Sequence, residues 1–174
     1  MDNFSEQLVK KEPTSAERIK KTVFLIGGII LTALLAAVGI FLMGTGSLWP
    51  MLALILAAGM GYATFFFIQG TYVEYEYIFT NGELDIDKIV ARKKRHNLIS
   101  ADVKTFTAFS KYNDELEETS DMTIVISSDN IASHEYYADF EHSEHGKVRL
   151  IFSPDTRTLE NIKKFLPRSL RNSL

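Results

Sequence analysis

Three histidines in the C-terminal third of the chain have side chains of the kind that a catalytic metal site needs. They are interspersed with carboxylates, and the whole set is His134, Glu135, Glu141, His142, Glu144 and His145. Imidazole and carboxylate groups ligate the zinc ions that activate water for hydrolysis. The i, i+3 spacing of His142 and His145 spans a predicted turn and not one face of a helix, so we do not expect the two side chains to converge as metal ligands. A metal-dependent hydrolase is therefore the third of three hypotheses for this chain.

Other catalytic chemistry has little support in the sequence. The chain has no cysteine, which excludes a thiolate nucleophile and a Cys-ligated zinc site. It has no Gly-x-Ser-x-Gly nucleophile motif, and the glycines near residue 45 lack the lysine of a phosphate-binding loop. An acidic segment lacks the ligand pattern of a calcium loop and is expected to be solvated. Its members are Asp114, Glu115, Glu117, Glu118 and Asp121. We expect no cofactor and no catalytic activity.

One dense run of positive charge consists of Arg92, Lys93, Lys94 and Arg95, followed by His96. Next to an anionic membrane surface, each Lys or Arg can contribute about 1 kcal/mol of binding free energy. The run could therefore contact anionic lipid headgroups or an acidic partner. The alternative is a solvated connection whose charge helps to fix the membrane topology. The whole chain has a net charge of −3, which excludes a generally basic nucleic-acid-binding protein.

The elements that must position these groups begin with a long uncharged stretch. Residues 22–73 contain no Asp, Glu, Lys, Arg or His, and one bilayer crossing takes about 20 apolar residues, so the stretch fits two crossings. We predict transmembrane helices over Thr22–Met43 and Leu48–Gln69, joined by a short external loop over residues 44–47. A cleaved signal peptide is disfavoured because the first apolar run is too long and no clean cleavage site follows it.

The distribution of basic residues predicts the orientation of the two helices. Five basic residues precede the first helix, the run at 92–95 follows the second, and the connecting loop has none. Because Lys and Arg are retained on the cytoplasmic side, both termini should face the cytoplasm in a multi-pass protein of the cell membrane. Thr14 and Glu17 have capping-box spacing, so the first helix should begin near Ser15, still in water. Residues 1–21 are predicted to be a cytoplasmic segment.

Small residues recur at four-residue spacing in both predicted helices. They are Ala33 and Ala37 in the first helix and Ala53, Ala57 and Gly61 in the second. Small side chains let helices approach closely within a membrane, so these residues are expected to pack the hairpin together or, alternatively, to form a homo-oligomer contact. Neither helix has the ionisable groups that are typical of ion pathways, which disfavours a transporter.

From Tyr72 onward the hydrophobic period changes from helical to alternating, which indicates strands. The first strand ends at Asn81-Gly82, the strongest short signal of a β-hairpin. A phase slip near Asp87 predicts a bulge in the return strand. Further strands are predicted near residues 103–110, 122–127, 136–141 and 147–152. They precede a helix that Asp155 caps and Pro167 ends. The N-terminal segment, with Phe4 and Leu8 at helical spacing, could pack on this domain or lie on the membrane.

The sequence Tyr77-Ile78-Phe79-Thr80-Asn81-Gly82-Glu83-Leu84 resembles the first hairpin of bacterial PH-like domains. The whole chain resembles an uncharacterised family of small bacterial membrane proteins that have two transmembrane helices and such a domain. This resemblance implies a membrane helical hairpin and, over residues 72–174, a mainly β, PH-like antiparallel barrel of six or seven strands with a C-terminal helix. It does not imply an activity. Because Glu83 and Asp85 flank the hairpin turn, it does not imply inositol-phosphate recognition either.

Three functions follow from these observations. The first is a membrane-tethered interaction or scaffold module, with a protein partner at the bilayer. The second is recognition of anionic lipid headgroups through Arg92, Lys93, Lys94 and Arg95. The third is the metal-dependent hydrolase built on the histidines.

Overall fold

A computed structural model describes residues 3–113, 116 and 121–171. The chain divides into two compact units. One is the continuous segment Pro13–Tyr72, and the other combines Met1–Glu12 with Val73–Leu174. The helical unit is therefore an insertion within the sequence of the second unit, which includes an N-terminal segment as well as the predicted range of 72–174.

Two helices make up the first unit. Helix α1 spans Ser15–Phe41 and helix α2 spans Trp49–Gly70, with a short 3-10 turn at Leu42–Thr45 between them. The predicted capping box is present, because the Glu17 N–H donates to Thr14 Oγ1 and the Thr14 N–H donates to the Glu17 carboxylate. Both helices are long and apolar enough to cross a membrane.

The contact between the helices depends on glycines. An added Cβ at Gly28 would collide with the side chain of Thr64, and one at Gly39 would lie 2.9 Å from Leu54 Cγ. From α2, Ala57 is 5% exposed and Gly61 approaches Thr32.

This contact differs from the prediction for α1. Ala33 and Ala37 are exposed on the surface of the hairpin, and Gly28, Thr32 and Gly39 face α2 instead. Glycine permits a closer approach of two helices than alanine does. The prediction from the alanine spacing therefore identified a neighbouring face of α1 and not the face that contacts α2.

The first sheet of the second unit has four antiparallel strands in the order β1-β2-β3-β4. They span Phe4–Lys10, Val73–Thr80, Glu83–Val90 and Lys94–Asp102. The predicted hairpin turn is present, with φ values of 51° at Asn81 and 105° at Gly82. The register between β3 and β4 shifts at Ile86 and Asp87, near the predicted place, but the bulge is not in the return strand β3. The extra residue, Leu98, belongs to β4.

The N-terminal segment packs on the domain as strand β1 and does not lie on the membrane as a separate segment. The segment pairs with β2 along its whole length, from Phe4 opposite Thr80 to Lys10 opposite Glu74. Ser5 and Val9 point into the core, whereas Phe4 and Leu8 remain exposed on the other face. The spacing of Phe4 and Leu8 is thus that of one face of a strand and not of a helix.

The second sheet has the order β5-β7-β8-β6. Its strands span Ala108–Lys111 (β5), Thr123–Ile126 (β6), Tyr136–His142 (β7) and Gly146–Phe152 (β8). Strand β6 runs parallel to β8, and all other pairs are antiparallel. The two sheets thus have eight strands, where the sequence predicts six or seven, all antiparallel. The additional strands are β1 and β4.

Helix α3, Thr156–Phe165, follows the second sheet, and a short helix α4, Arg168–Arg171, comes after Pro167. Asp155 caps α3 as predicted, because its side chain accepts a hydrogen bond from the Thr158 N–H at 2.7 Å. Ile162 and Leu166 contribute to one core between the sheets. The other main contributors are Tyr77, Phe79, Leu84, Ile86, Leu150 and Phe152.

Candidate functional site

The basic run forms the end of the β3–β4 hairpin. Ala91 and Arg92 have φ values of 54° and 56°, and the Lys93 N–H donates to the Val90 carbonyl at 3.1 Å. Lys94 begins β4. Because Val90 pairs with Val73, this turn lies at the end of the first sheet where the chain enters β2. The run is therefore part of a hairpin and not an irregular connection.

The two arginines of the run are engaged by acids of their own sheet. Arg92 Nε lies 3.7 Å from Glu74 Oε1, and the Arg95 guanidinium pairs with the Glu76 carboxylate and reaches Asp87 at 3.7 Å. Part of the positive charge that the sequence suggests is thus compensated within the domain.

The two lysines are in a different situation. Lys93 and Lys94 are exposed, and neither has an ion pair with another residue in the described part of the chain. These two side chains are the part of the run that an external anion could meet.

The outward side of the first sheet combines acidic and apolar side chains. Alternation and register assign to this acidic face Glu6, Glu74, Glu76, Glu83, Asp85, Asp87 and Asp102, with Phe4, Leu8, Ile78 and Ile89. Lys10 and Arg95 are its basic members. Phe4 and Leu8 are 45% and 52% exposed. This surface was not predicted from the sequence, because strand β1, which supplies the exposed side chains of Phe4 and Leu8, was not predicted.

The histidines do not assemble into a metal site. The rings of His142 and His145 stack at a centroid distance of 4.9 Å, and His142 Nδ1 accepts a hydrogen bond from the Glu144 N–H. His134 lies apart from them and pairs with Asp129, with 3.1 Å between Nδ1 and Oδ2. Within residues 3–113, 116 and 121–171, no group of three or more His, Asp or Glu side chains could hold a metal ion. The hydrolase hypothesis gains no support from this arrangement.

Of the five acidic residues in the predicted acidic loop, only Asp121 lies among the residues that the structure describes. Asp114, Glu115, Glu117 and Glu118 lie outside the described residues. Asp121 accepts a hydrogen bond from Lys147 Nζ at 2.6 Å. This hydrogen bond and the lysine charge lower the pKa of Asp121 and raise that of Lys147.

A polar network that the sequence did not indicate surrounds Asp129. Its carboxylate accepts from the Ser153 hydroxyl at 2.8 Å and from the Ile131 N–H at 3.0 Å, besides pairing with His134. Burial alone would raise the pKa of Asp129, but these hydrogen bonds outweigh it and lower the pKa. Ser153 is 24 residues from Asp129 in the chain, so no local motif could reveal this contact.

The same network excludes one catalytic interpretation. Ser153 is only 4% exposed, and its hydroxyl donates to Asp129 and not to a histidine. A serine nucleophile needs a general base, most often a histidine, and access to a substrate. We therefore assign the Asp129 network a structural role. Gln7 extends it to β1, because its Nε2 donates to the Ser153 carbonyl at 2.9 Å.

Comparison with known proteins agrees with this description. No curated protein and no solved structure matches the chain significantly. A family model described as "Bacterial PH-like domain (DUF6106)" matches residues 1–172. The match extends over both the helical hairpin and the two-sheet unit, including the N-terminal strand. The chain therefore belongs to this bacterial PH-like domain family.

Proposed function

We propose that this protein is a membrane-anchored interaction module, which presents its PH-like domain to a protein partner and performs no catalysis itself. The observation that carries the proposal is the insertion of the helical hairpin between two paired strands. Lys10 is opposite Glu74, and the Lys11 N–H donates to the Val73 carbonyl at 3.1 Å. The domain thus has two covalent connections to the helices, through adjacent strands. Attachment through two adjacent strands suits a domain that is held at the membrane.

The membrane orientation forms part of the proposal. Lys20 and Lys21 lie just before the apolar part of α1, and the loop between the helices has no basic residue. Retention of basic residues on the cytoplasmic side favours both termini, and with them the domain, in the cytoplasm at the cell membrane.

The acidic face is the surface that best fits a partner. Phe4 and Leu8 supply exposed apolar area, and the surrounding carboxylates outnumber the basic residues of the face. Glu74, Glu76 and Asp87 are paired with arginines of the domain, so the remaining acids of the face carry the argument. Their charge favours a partner segment that alternates basic and apolar side chains. Burial of the apolar side chains would supply affinity, and the carboxylates would select against acidic segments.

Site-specific photo-cross-linking of the full chain in its native membrane tests this proposal. A photoreactive residue at position 6, in the acidic face, should capture a protein through a segment rich in Lys or Arg. The substitution Leu8→Glu should lower the yield several-fold. The matched control is Ile126→Glu in β6, since Ile126 is 54% exposed on the other sheet. Equal yields from both variants, or capture through an acidic segment, would contradict the proposal.

A second candidate function is contact of the basic turn with anionic lipids. Val73, which pairs with Val90 just before this turn, follows the end of α2 by three residues. The chain thus passes from α2 into the strand beside this turn through a short connection. The exposed side chains of Lys93 and Lys94 favour this function, whereas the ion pairs of Arg92 and Arg95 weaken it.

A fluorescent label at position 96 tests the second candidate. The His96→Cys variant provides a unique thiol because the natural chain has no cysteine. Quenching by labelled lipids should be stronger in phosphatidylglycerol than in phosphatidylcholine bilayers and should fall at high salt. Lys93→Gln with Lys94→Gln should abolish the difference, and Arg92→Gln should reduce it less. Quenching that is independent of lipid charge would refute lipid contact.

A further inference from the structure

A groove of about 720 Å³ runs along one side of the helical hairpin. On α1 it is lined by Gly28, Ala33 and Ala36 among others, and on α2 by Gly61, Phe65 and Gln69 among others. The small side chains of α1 and Gly61 leave the space open. Ala33, which is exposed and outside the helix contact, forms part of its wall.

The walls of the groove are apolar. The hydroxyl groups of Thr32 and Thr64 also line it, but each donates to a carbonyl of its own helix, Gly28 at 2.7 Å and Met60 at 2.9 Å. Their donor protons are thus already used. Apart from Gln69 and Tyr72, near the C-terminal end of α2, the lining therefore matches a hydrocarbon occupant.

The length of the groove corresponds to one leaflet of a bilayer. Its lining on α1 extends from Leu25 to Ala36, about 16 Å at a helical rise of about 1.5 Å per residue. Half of a hydrocarbon core is about 15 Å. The groove therefore has the dimension of an acyl chain that lies parallel to the helices.

One end of the groove is marked by positive charge. Tyr72 lines that end, and Lys21 Nζ lies over its ring at 4.0 Å from the centroid. Lys20 is adjacent in the sequence and exposed. A phosphate group at this end would meet the lysine charge while the attached hydrocarbon followed the groove.

We propose that the groove binds one anionic phospholipid, with an acyl chain between α1 and α2 and the phosphate at Lys21. A helix of a second copy fits less well, because residues 22–73 would bring no negative charge to Lys21. This lipid site rests on the hairpin crossing a bilayer and is independent of partner binding at the acidic face.

Native mass spectrometry of the full chain tests the lipid site. The protein is released from bilayers of equal parts phosphatidylglycerol and phosphatidylcholine, and the wild type should retain one phosphatidylglycerol molecule. Ala33→Leu fills the groove and should remove the bound lipid. Ala37→Leu is the matched control, since Ala37 is exposed on the same helix and does not line the groove. Lys21→Gln should reduce the preference for phosphatidylglycerol about fivefold.

Three results would overturn the lipid site. The first is a wild type without retained lipid, and the second is equal lipid loss in Ala33→Leu and Ala37→Leu. The third is a dimer that Ala33→Leu dissociates, because a second copy would then occupy the groove. Retention of lipid by Lys21→Gln without a headgroup preference would support the assigned role of the lysine.

Discussion

The phenolic oxygen of Tyr77 accepts a hydrogen bond from the backbone N–H of Ser153 across the core of the domain, with 3.1 Å between oxygen and nitrogen. The same hydroxyl donates to the Ser127 carbonyl. Tyr77 belongs to β2 of the first sheet, whereas Ser127 and Ser153 follow the ends of β6 and β8 in the second. One fully buried hydroxyl thus connects the two sheets. Burial raises its pKa far above the usual value, so it remains a donor at neutral pH.

Tyr77→Phe should lower the free energy of unfolding by about 1–3 kcal/mol, because it leaves a buried N–H and a buried carbonyl without their partner. The measurement is denaturant unfolding of the full chain in detergent. Tyr136→Phe is the matched control, since Tyr136 is half-buried with its ring stacked on Phe109. An equal effect in both variants would show that the Tyr77 hydroxyl does not connect the sheets.

Asp129 should make the domain sensitive to acid. The pKa of Asp129 in the folded state lies below the usual aspartate value of 3.8. The stabilising contribution is therefore complete above about pH 4 and is lost as the pH falls through the folded-state pKa. Asp129→Asn should reduce stability at pH 7 by about 1–3 kcal/mol and flatten the dependence of stability on pH below 4.

The control for the acid dependence is Asp121→Asn. The pKa of Asp121 is also lowered, but its partner Lys147 is exposed, and surface ion pairs contribute little. Thermal unfolding of the full chain between pH 3 and 7 distinguishes the two. If Asp129→Asn loses thermal stability below pH 4 as the wild type does, the network is not the origin of the acid sensitivity.

The sequence predicted the features that local chemistry determines. The capping box of Thr14 and Glu17 and the turn at Asn81-Gly82 depend on neighbouring residues, and both occur where expected. Strand β1 was missed because its partner β2 lies beyond the whole helical hairpin, so nothing local indicates the pairing. Strand β4 was missed because Lys94, Arg95 and the next two residues are polar on both faces. The parallel pairing of β6 with β8 also depends on distant contacts.

The candidate sites were less predictable than the fold. The basic run was visible in the sequence, but the ion pair of Arg95 with Glu76 depends on the register of three strands. The acidic face and the Asp129 network likewise combine residues from separate elements. Composition showed which charges exist, and the sheet register determines which of them compensate one another.

Gly82 should be the glycine of the domain that tolerates substitution least. Its φ of 105° strains any side chain, and an added Cβ would lie 2.8 Å from the ring of Phe165. Gly82→Ala should lower the free energy of unfolding by about 2 kcal/mol or more. Gly146→Ala tests the backbone effect separately, because Gly146 has a φ of 66° with no neighbour within 4 Å. Equal losses in the two variants would exclude a contribution of Phe165.

Gly28 should be essential for packing α1 against α2. Gly28→Val would force Thr64 away, whereas the adjacent Gly27 has no neighbour within 4 Å. In a Phe24→Cys, Phe67→Cys background, whose wild-type ring centroids are 5.5 Å apart, a bifunctional maleimide should form a cross-link between the two cysteines in membranes. Gly28→Val should reduce its yield several-fold and Gly27→Val should not. A yield that both substitutions leave unchanged would contradict the glycine-dependent contact.

The membrane orientation can be tested with single cysteines, because the natural chain has none. Ser47→Cys marks the loop between the helices, and Ser143→Cys marks the exposed β7–β8 turn of the domain. In intact cells a membrane-impermeant maleimide should label Ser47→Cys, whereas Ser143→Cys should react only after permeabilisation. The reason is that the lysines before the apolar part of α1 and the basic turn after α2 resist translocation, while the loop carries no such charge. Thr45→Lys in the loop should therefore reduce the labelled fraction. The reverse labelling pattern would show that the orientation is opposite to the one proposed. Equal labelling of both sites in intact cells would show that the two sites do not lie on opposite sides of the membrane.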